Sequence, residues 1–194
     1  AVDDAHFDRT ATGRRLEDNL DVSLAWTAGV EGNAVAHEDR YRDKYLALPG
    51  GRALLASVAQ IGDVPPSIVR ELYFPYQAGA DWIRVEREAN GTRRIDQWFA
   101  DSSAGTAYIL HPELIQNGWT PEQVTLPDLA PALGDGWSRE SGGTFGEFNL
   151  RNYLQLQAPA SQSVIAAAGW AGDAYAVYAN GDASVAAFRL HFAS

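Results

Sequence analysis

Leu24-Ala25-Trp26-Thr27-Ala28-Gly29-Val30-Glu31-Gly32-Asn33-Ala34 is a run of small and apolar residues with a single carboxylate inside it. Apolar residues recur around it at Leu20, Leu24, Val30, Ala34, Tyr41 and Tyr45, a spacing close to one helical face, which predicts a long helix over about 19–45. Gly29 and Gly32 each weaken such a helix by roughly 1 kcal/mol relative to alanine. They also let a second helix approach closely, as helices do around a buried ligand cluster. Glu31 is the charge in that setting, and a carboxylate among apolar residues calls for a partner: a hydrogen bond, a cation or a metal.

Working outward, His37-Glu38-Asp39-Arg40-Tyr41-Arg42-Asp43-Lys44 reads as the solvated face of the same helix, which Pro49-Gly50-Gly51 ends. Upstream, residues 1–10 suit a helix tail, and Thr12-Gly13 breaks it. Downstream, a helical pattern runs from Arg52 to Gln60. Pro65-Pro66-Ser67 then opens a helix from Ser67 to Leu72 with Ser67 as N-cap. Tyr73-Phe74-Pro75-Tyr76 reads as an aromatic turn, after which Pro75 starts a further helix to Glu88. Thr92 to Phe99 turns Ile95, Trp98 and Phe99 inward. Pro121, Pro127 and Pro131 punctuate residues 112–135 and predict a long irregular connection. Trp137 to Ser141 reads as a strand, and Thr144 to Leu156 and Ser161 to Ala168 as helices. Asp173–Ala179 and Ser184–Phe192 form two strands joined by the hairpin signal Asn180-Gly181-Asp182. The expected class is α+β, mainly helical with a small antiparallel hairpin or sheet near the C-terminus. A single domain is expected over 1–194, with a helical part at about 1–110, an irregular connection at about 111–136 and a mixed part at about 137–194.

The 194 residues suffice for a substantial core, and 46% hydrophobic with 21% charged residues is a globular balance. A net charge of −10 argues against nucleic acid as partner, because phosphate binding needs clustered Lys and Arg. No apolar run is long enough to span a bilayer. With no cysteine, disulfides, thiolate metal sites and thiol catalysis are excluded. The absence of methionine and the character of Ala1-Val2-Asp3-Asp4-Ala5-His6-Phe7 suggest a piece cut from a longer protein.

His37-Glu38-Asp39-Arg40-Tyr41 begins like the zinc-protease HExxH motif but ends in tyrosine, where the motif needs a second imidazole on the same helix face. A solvated helix face explains it. His6, His111 and His191 lie far apart, and His111 before Pro112 suits a hydrogen-bonded anchor. Ser102 and Ser103 lack a nucleophile-elbow context. Gly142-Gly143-Thr144-Phe145-Gly146 lacks the P-loop lysine and reads as a turn into a helix, with Glu147 favourably placed at its start. Tyr73, Phe74, Tyr76 and Trp82 are the best aromatic candidates for a binding surface, with a core role as the plainer reading. No catalytic residue is identified.

Ala1-Val2-Asp3-Asp4-Ala5-His6-Phe7-Asp8 resembles the segment A-L-Q-D-Q-H-F-D that directly follows HExxH in a family of bacterial zincin-like, metalloprotease-type proteins. Glu31-Gly32-Asn33-Ala34 resembles the E-G-D-A of that family's next helix. Phe74-Pro75-Tyr76-Gln77-Ala78-Gly79, Ile109-Leu110-His111-Pro112-Glu113, Gly146-Glu147-Phe148 and Ala168-Gly169-Trp170-Ala171-Gly172-Asp173 resemble later landmarks in the same order. The resemblance implies that Glu31 is the third zinc ligand of a His-His-Glu site, with both histidines and the base glutamate upstream of Ala1. It further implies a peptide or protein substrate for the parent protein and an extracytoplasmic or cell-envelope location. Asn33 departs from the family's aspartate. On this reading the parent is a zinc metallopeptidase, and this chain supplies Glu31 and a cleft wall while being metal-free and inactive alone. The alternative is a non-catalytic extracytoplasmic binding or scaffold domain, and a plain α+β domain with a coincidental Glu-Gly-Asn-Ala is a third reading.

Overall fold

The computed structural model describes residues 7–16, 19–46, 63–100 and 104–193. Helix α1 (Arg9–Leu16) runs straight through Thr12 and Gly13, where the sequence suggested a break. Asp8 stabilises its start, accepting the Ala11 amide at 2.9 Å. Helix α2 (Leu20–Tyr41) is the expected long helix. Asn19 caps it by accepting the Val22 amide at 3.2 Å. Its last turn widens into a π-type segment, Arg42–Leu46, in which Arg42 pairs with Glu38. The helix expected from Arg52 to Gln60 lies outside the described residues.

Helix α3 (Pro66–Asn90) differs from expectation: it is one continuous helix, with Pro75 inside it and Pro65, not Ser67, at the N-cap position. A proline in a helix interior forfeits a backbone hydrogen bond and crowds the preceding turn. Burial outweighs that loss here, because Phe74, Gly79, Ala80, Trp82 and Ile83 are all buried, and only an unbroken helix presents them together. Short helices follow: α4 (Arg93–Ala100), α5 (Thr106–Leu110), α6 (Pro112–Gln116) and α7 (Ala130–Leu133). Strand β1 (Ser138–Gly143), helices α8 (Gly146–Leu154) and α9 (Ala160–Ala167), and strands β2 (Trp170–Asn180) and β3 (Ala183–Phe192) complete the chain.

The class is α+β. The sheet is antiparallel, ordered β1-β2-β3, with Tyr175 opposite Phe188 and an irregularity in β1 between Arg139 and Ser141. Gly181, at φ +58°, makes the tight turn between β2 and β3. Two long helices, α2 and α3, pack along each other and form the spine of the helical part. Their close approach is set by glycine: a Cβ on Gly32 would lie 2.1 Å from the Gly79 carbonyl carbon, and one on Gly79 would lie 2.0 Å from the Ala28 oxygen. Gly29 serves a different neighbour, seating the Trp98 indole of α4. Around this crossing Trp82 and Trp98 lie 4.7 Å apart, and Phe74 meets Phe148 of α8 at 4.1 Å. A second, smaller core joins Ala107, Leu150, Ala167 and Trp170. Among the described residues no helix is long and apolar enough to cross a membrane.

Candidate functional site

Along α2, Leu24, Thr27 and Glu31 fall on one stripe, and along α3 Ile68, Glu71, Leu72, Pro75 and Tyr76 face them. Together they line an open cleft of about 310 Å³ between the N-terminal halves of the two helices. Its walls are mainly apolar, and Ile68 and Leu72 stay 46% and 55% exposed, so hydrocarbon faces solvent here. Glu31 sits half-buried in this wall, one residue from the Gly32–Gly79 crossing, where the two helix backbones leave no room for a side chain.

The partner the fold gives Glu31 is Tyr76. Burial first, and then the charge of Glu31 and a hydrogen bond to it, hold the Tyr76 phenol above its ordinary pKa of 10.0. Tyr76 therefore remains a hydrogen-bond donor throughout the neutral range. Among the described residues no Lys, Arg or His forms an ion pair with Glu31. The cleft thus presents two carboxylates, Glu31 and Glu71, and one phenol against an apolar wall. Among the described residues no group of three His, Cys, Asp or Glu converges to hold a metal ion, so these residues do not by themselves fit a zinc site.

Asn33 points away from this cleft, into the helix pair. It is 5% exposed, and its side-chain oxygen accepts a hydrogen bond from Arg87 Nη2 at 3.1 Å. Three histidines are engaged elsewhere. His37 Nδ1 donates to the Asn33 carbonyl at 2.8 Å, His191 Nδ1 donates to Glu122 at 2.7 Å, and His111 Nε2 donates to Glu147 Oε1 at 2.7 Å. His6 lies outside the described residues. Of the four aromatic candidates, Phe74 and Trp82 are buried in the core, whereas Tyr76 and Tyr73 border cavities on opposite faces of α3.

A second concentration of charge lies in the interior and has no sequence motif. Asp21, at the start of α2, is 1% exposed and accepts hydrogen bonds from the Thr106 amide at 3.0 Å and the Thr106 hydroxyl at 2.5 Å. That hydroxyl in turn accepts the Phe148 amide at 3.1 Å. Gly105 and Gly146 press against the Asp21 carboxyl so closely that any side chain on either would collide with it. Asp173 of β2 holds the start of α8, accepting from the amides of Phe145 at 2.6 Å and Gly146 at 2.8 Å and from the Trp170 indole at 2.6 Å. Burial, with smaller contributions from the charges of Asp173 and Glu147, pushes the Asp21 carboxyl up to about 7 against the hydrogen bonds from Thr106. The arrangement is closed to solvent, so it joins α2, α5, α8 and β2 rather than offering a surface for substrate. Asp21 carried no signal in the sequence beyond its place in the first turn of α2. Glu71 carried none either, because only the packing of α2 on α3 brings it beside Glu31.

A family model described as a domain of unknown function (DUF8575) matches residues 133–194. The matched stretch holds the sheet with α8 and α9, and it contributes Glu147 and Asp173 to the buried cluster. Neither the curated proteins nor the solved structures include one that matches this chain.

Proposed function

We propose that the cleft between α2 and α3 is one wall of a zinc peptidase site, with Glu31 as the ligand that this chain contributes. The carrying observation is the state of Glu31: half-buried in the wall of an open apolar cleft, one residue from the Gly32–Gly79 crossing, and without an ion pair among the described residues. A carboxylate kept in such a place is available to a cation. The resemblance of Glu31-Gly32-Asn33-Ala34 to the glutamate-bearing helix of zincin-like proteins supports the same reading. A catalytic zinc takes three protein ligands and keeps a fourth position open. The described residues supply one ligand, and on this reading two histidines preceding Ala1 supply the others. The apolar wall of exposed Ile68 and Leu72 with half-buried Leu24 would take side chains of a peptide or protein substrate outside the cell or at its envelope.

The test is zinc content of the full-length protein, including whatever residues precede Ala1, measured by elemental analysis beside the Glu31→Gln variant. One zinc per chain, lost or strongly weakened in the variant with its circular dichroism unchanged, supports the ligand role. Unchanged zinc in the variant contradicts it. The second reading, a non-catalytic binding or scaffold domain, draws on the fact that none of the three described histidines lines the cleft. It is favoured if the full-length protein holds no zinc and cleaves no peptide.

A further inference from the structure

Helix α3 separates two cavities of opposite character. Ile68, Glu71, Leu72 and Tyr76 face the acidic cleft, while Arg70, Tyr73, Phe74 and Gln77 face a second cavity of about 290 Å³ formed with α8. The floor of this second cavity is apolar, made by the Phe74–Phe148 contact with Leu110 beside it. Its walls are polar: Arg70, Arg151, Gln77 and Gln155. Among the described residues no carboxylate lines it, although the chain carries 25 Asp and Glu against 15 Lys and Arg.

The two arginines are the unusual feature. Arg70 Nε donates to Asn152 Oδ1 at 2.7 Å and Nη2 to the Asn152 carbonyl at 3.4 Å. Both acceptors are neutral, so they hold the guanidinium in place without cancelling its charge. Asn152 is itself fixed, donating to the Ser67 carbonyl at 2.9 Å. Arg151 makes no ion pair among the described residues, and the carboxylate one turn before it, Glu147, is already engaged by His111. The Tyr73 hydroxyl, buried beside the same cavity, has no hydrogen-bond partner among the described residues. Two guanidinium groups without an ion pair among the described residues and an aromatic floor line one concavity, and a guanidinium fork is shaped to receive a carboxylate or phosphate.

We propose that this cavity binds a small organic anion, a carboxylate or phosphate group on an apolar body, with the anionic group on Arg70 and Arg151 and the body on Phe74 and Phe148. The proposal is independent of the Glu31 reading, since among the described residues the two cavities share no lining residue. It is tested by calorimetric titration of the chain with hexanoate, hexyl phosphate, inorganic phosphate and hexanol. Saturable binding is expected for at least one organic anion, with hexanol and inorganic phosphate each markedly weaker, and the preferred head group separates carboxylate from phosphate. Arg151→Gln is expected to weaken that binding by about tenfold or more, as loss of a charged hydrogen bond does, without lowering the melting temperature. No saturable binding of either organic anion at millimolar concentration overturns the proposal. So does hexanol binding as tightly as hexanoate, or an Arg151→Gln variant that binds as the parent does.

Discussion

Asp21 shows how one residue couples packing to pH. Its carboxyl titrates at about 7 in the fold against an ordinary 3.8, because burial disfavours the charge and neither Asp173 nor Glu147 offers relief. Between about pH 4 and 7 the unfolded chain gives up this proton and the folded chain keeps it. Asp21 therefore makes stability fall as pH rises across that window, by an amount on the order of 4 kcal/mol, and level off above it. His111 acts in the same sense. Its hydrogen bond to Glu147 raises its pKa above the ordinary 6.5, so stability from its charged form is present below 6.5 and lost as pH climbs through the raised value. Urea denaturation at a series of pH values should show a more stable protein at pH 5 than at pH 8, and Asp21→Asn should remove most of the decline between 4 and 7. An unchanged profile in Asp21→Asn would locate the effect elsewhere. At the other site, the Glu31–Tyr76 contact is expected to report itself spectroscopically. Glu31→Gln should lower the Tyr76 pKa, followed by NMR on ring-labelled tyrosine, but not return it to 10.0, since burial is the larger cause. A Tyr76 titration indifferent to the substitution would mean that the two side chains do not meet in solution.

At the level of elements, the α2–α3 crossing depends on the absence of two methyl groups. Alanine at Gly79 would place its Cβ 2.0 Å from the Ala28 backbone oxygen, and backbone cannot step aside as a flexible side chain can. Gly79→Ala should therefore cost about 1–3 kcal/mol, overpacking outweighing the roughly 1 kcal/mol gained in helix propensity. Gly13 in α1 is the contrast, because a Cβ there would make an ordinary 3.6 Å contact with the Trp26 ring. Gly13→Ala should be neutral or stabilise by up to about 1 kcal/mol. Equal effects of the two substitutions in chemical denaturation would contradict the close crossing. These elements also show what sequence alone could reveal. The periodicity around Leu24 to Ala34, Gly32, and the Asn180-Gly181-Asp182 turn are local signals, and the long helix, close helix contact and hairpin follow from them, whereas Gly29 seats the Trp98 ring instead. Pro75 misled because its local preference is to begin a helix, whereas burial of Phe74, Ala80, Trp82 and Ile83 on one continuous face prevails. The candidate site was legible at Glu31 and, as one of four aromatic candidates, at Tyr76. The pairing of Tyr76 with Glu31 and the presence of Glu71 come from tertiary packing, and Arg70 meets Asn152 from 82 positions away.

On the scale of the whole molecule, the helical part and the sheet part are tied by buried polar groups as well as apolar ones. Asp21 and Thr106 anchor the start of α8, and Phe74 packs on Phe148, so the stretch 133–194 draws part of its stability from residues before it. That stretch produced alone should lack a cooperative thermal transition, and a sharp two-state melt from it would show that it stands without these contacts. The acidic cleft and the Arg70–Arg151 cavity then occupy opposite faces of a single helix, each held by a different partner, α2 for one and α8 for the other. The central claim concerns the first of them, and zinc stoichiometry of the full-length protein with and without the Glu31 carboxylate tests it most directly. The expected result is one bound zinc in the parent and little or none in a folded Glu31→Gln variant. Equal zinc in both would contradict the ligand role of Glu31.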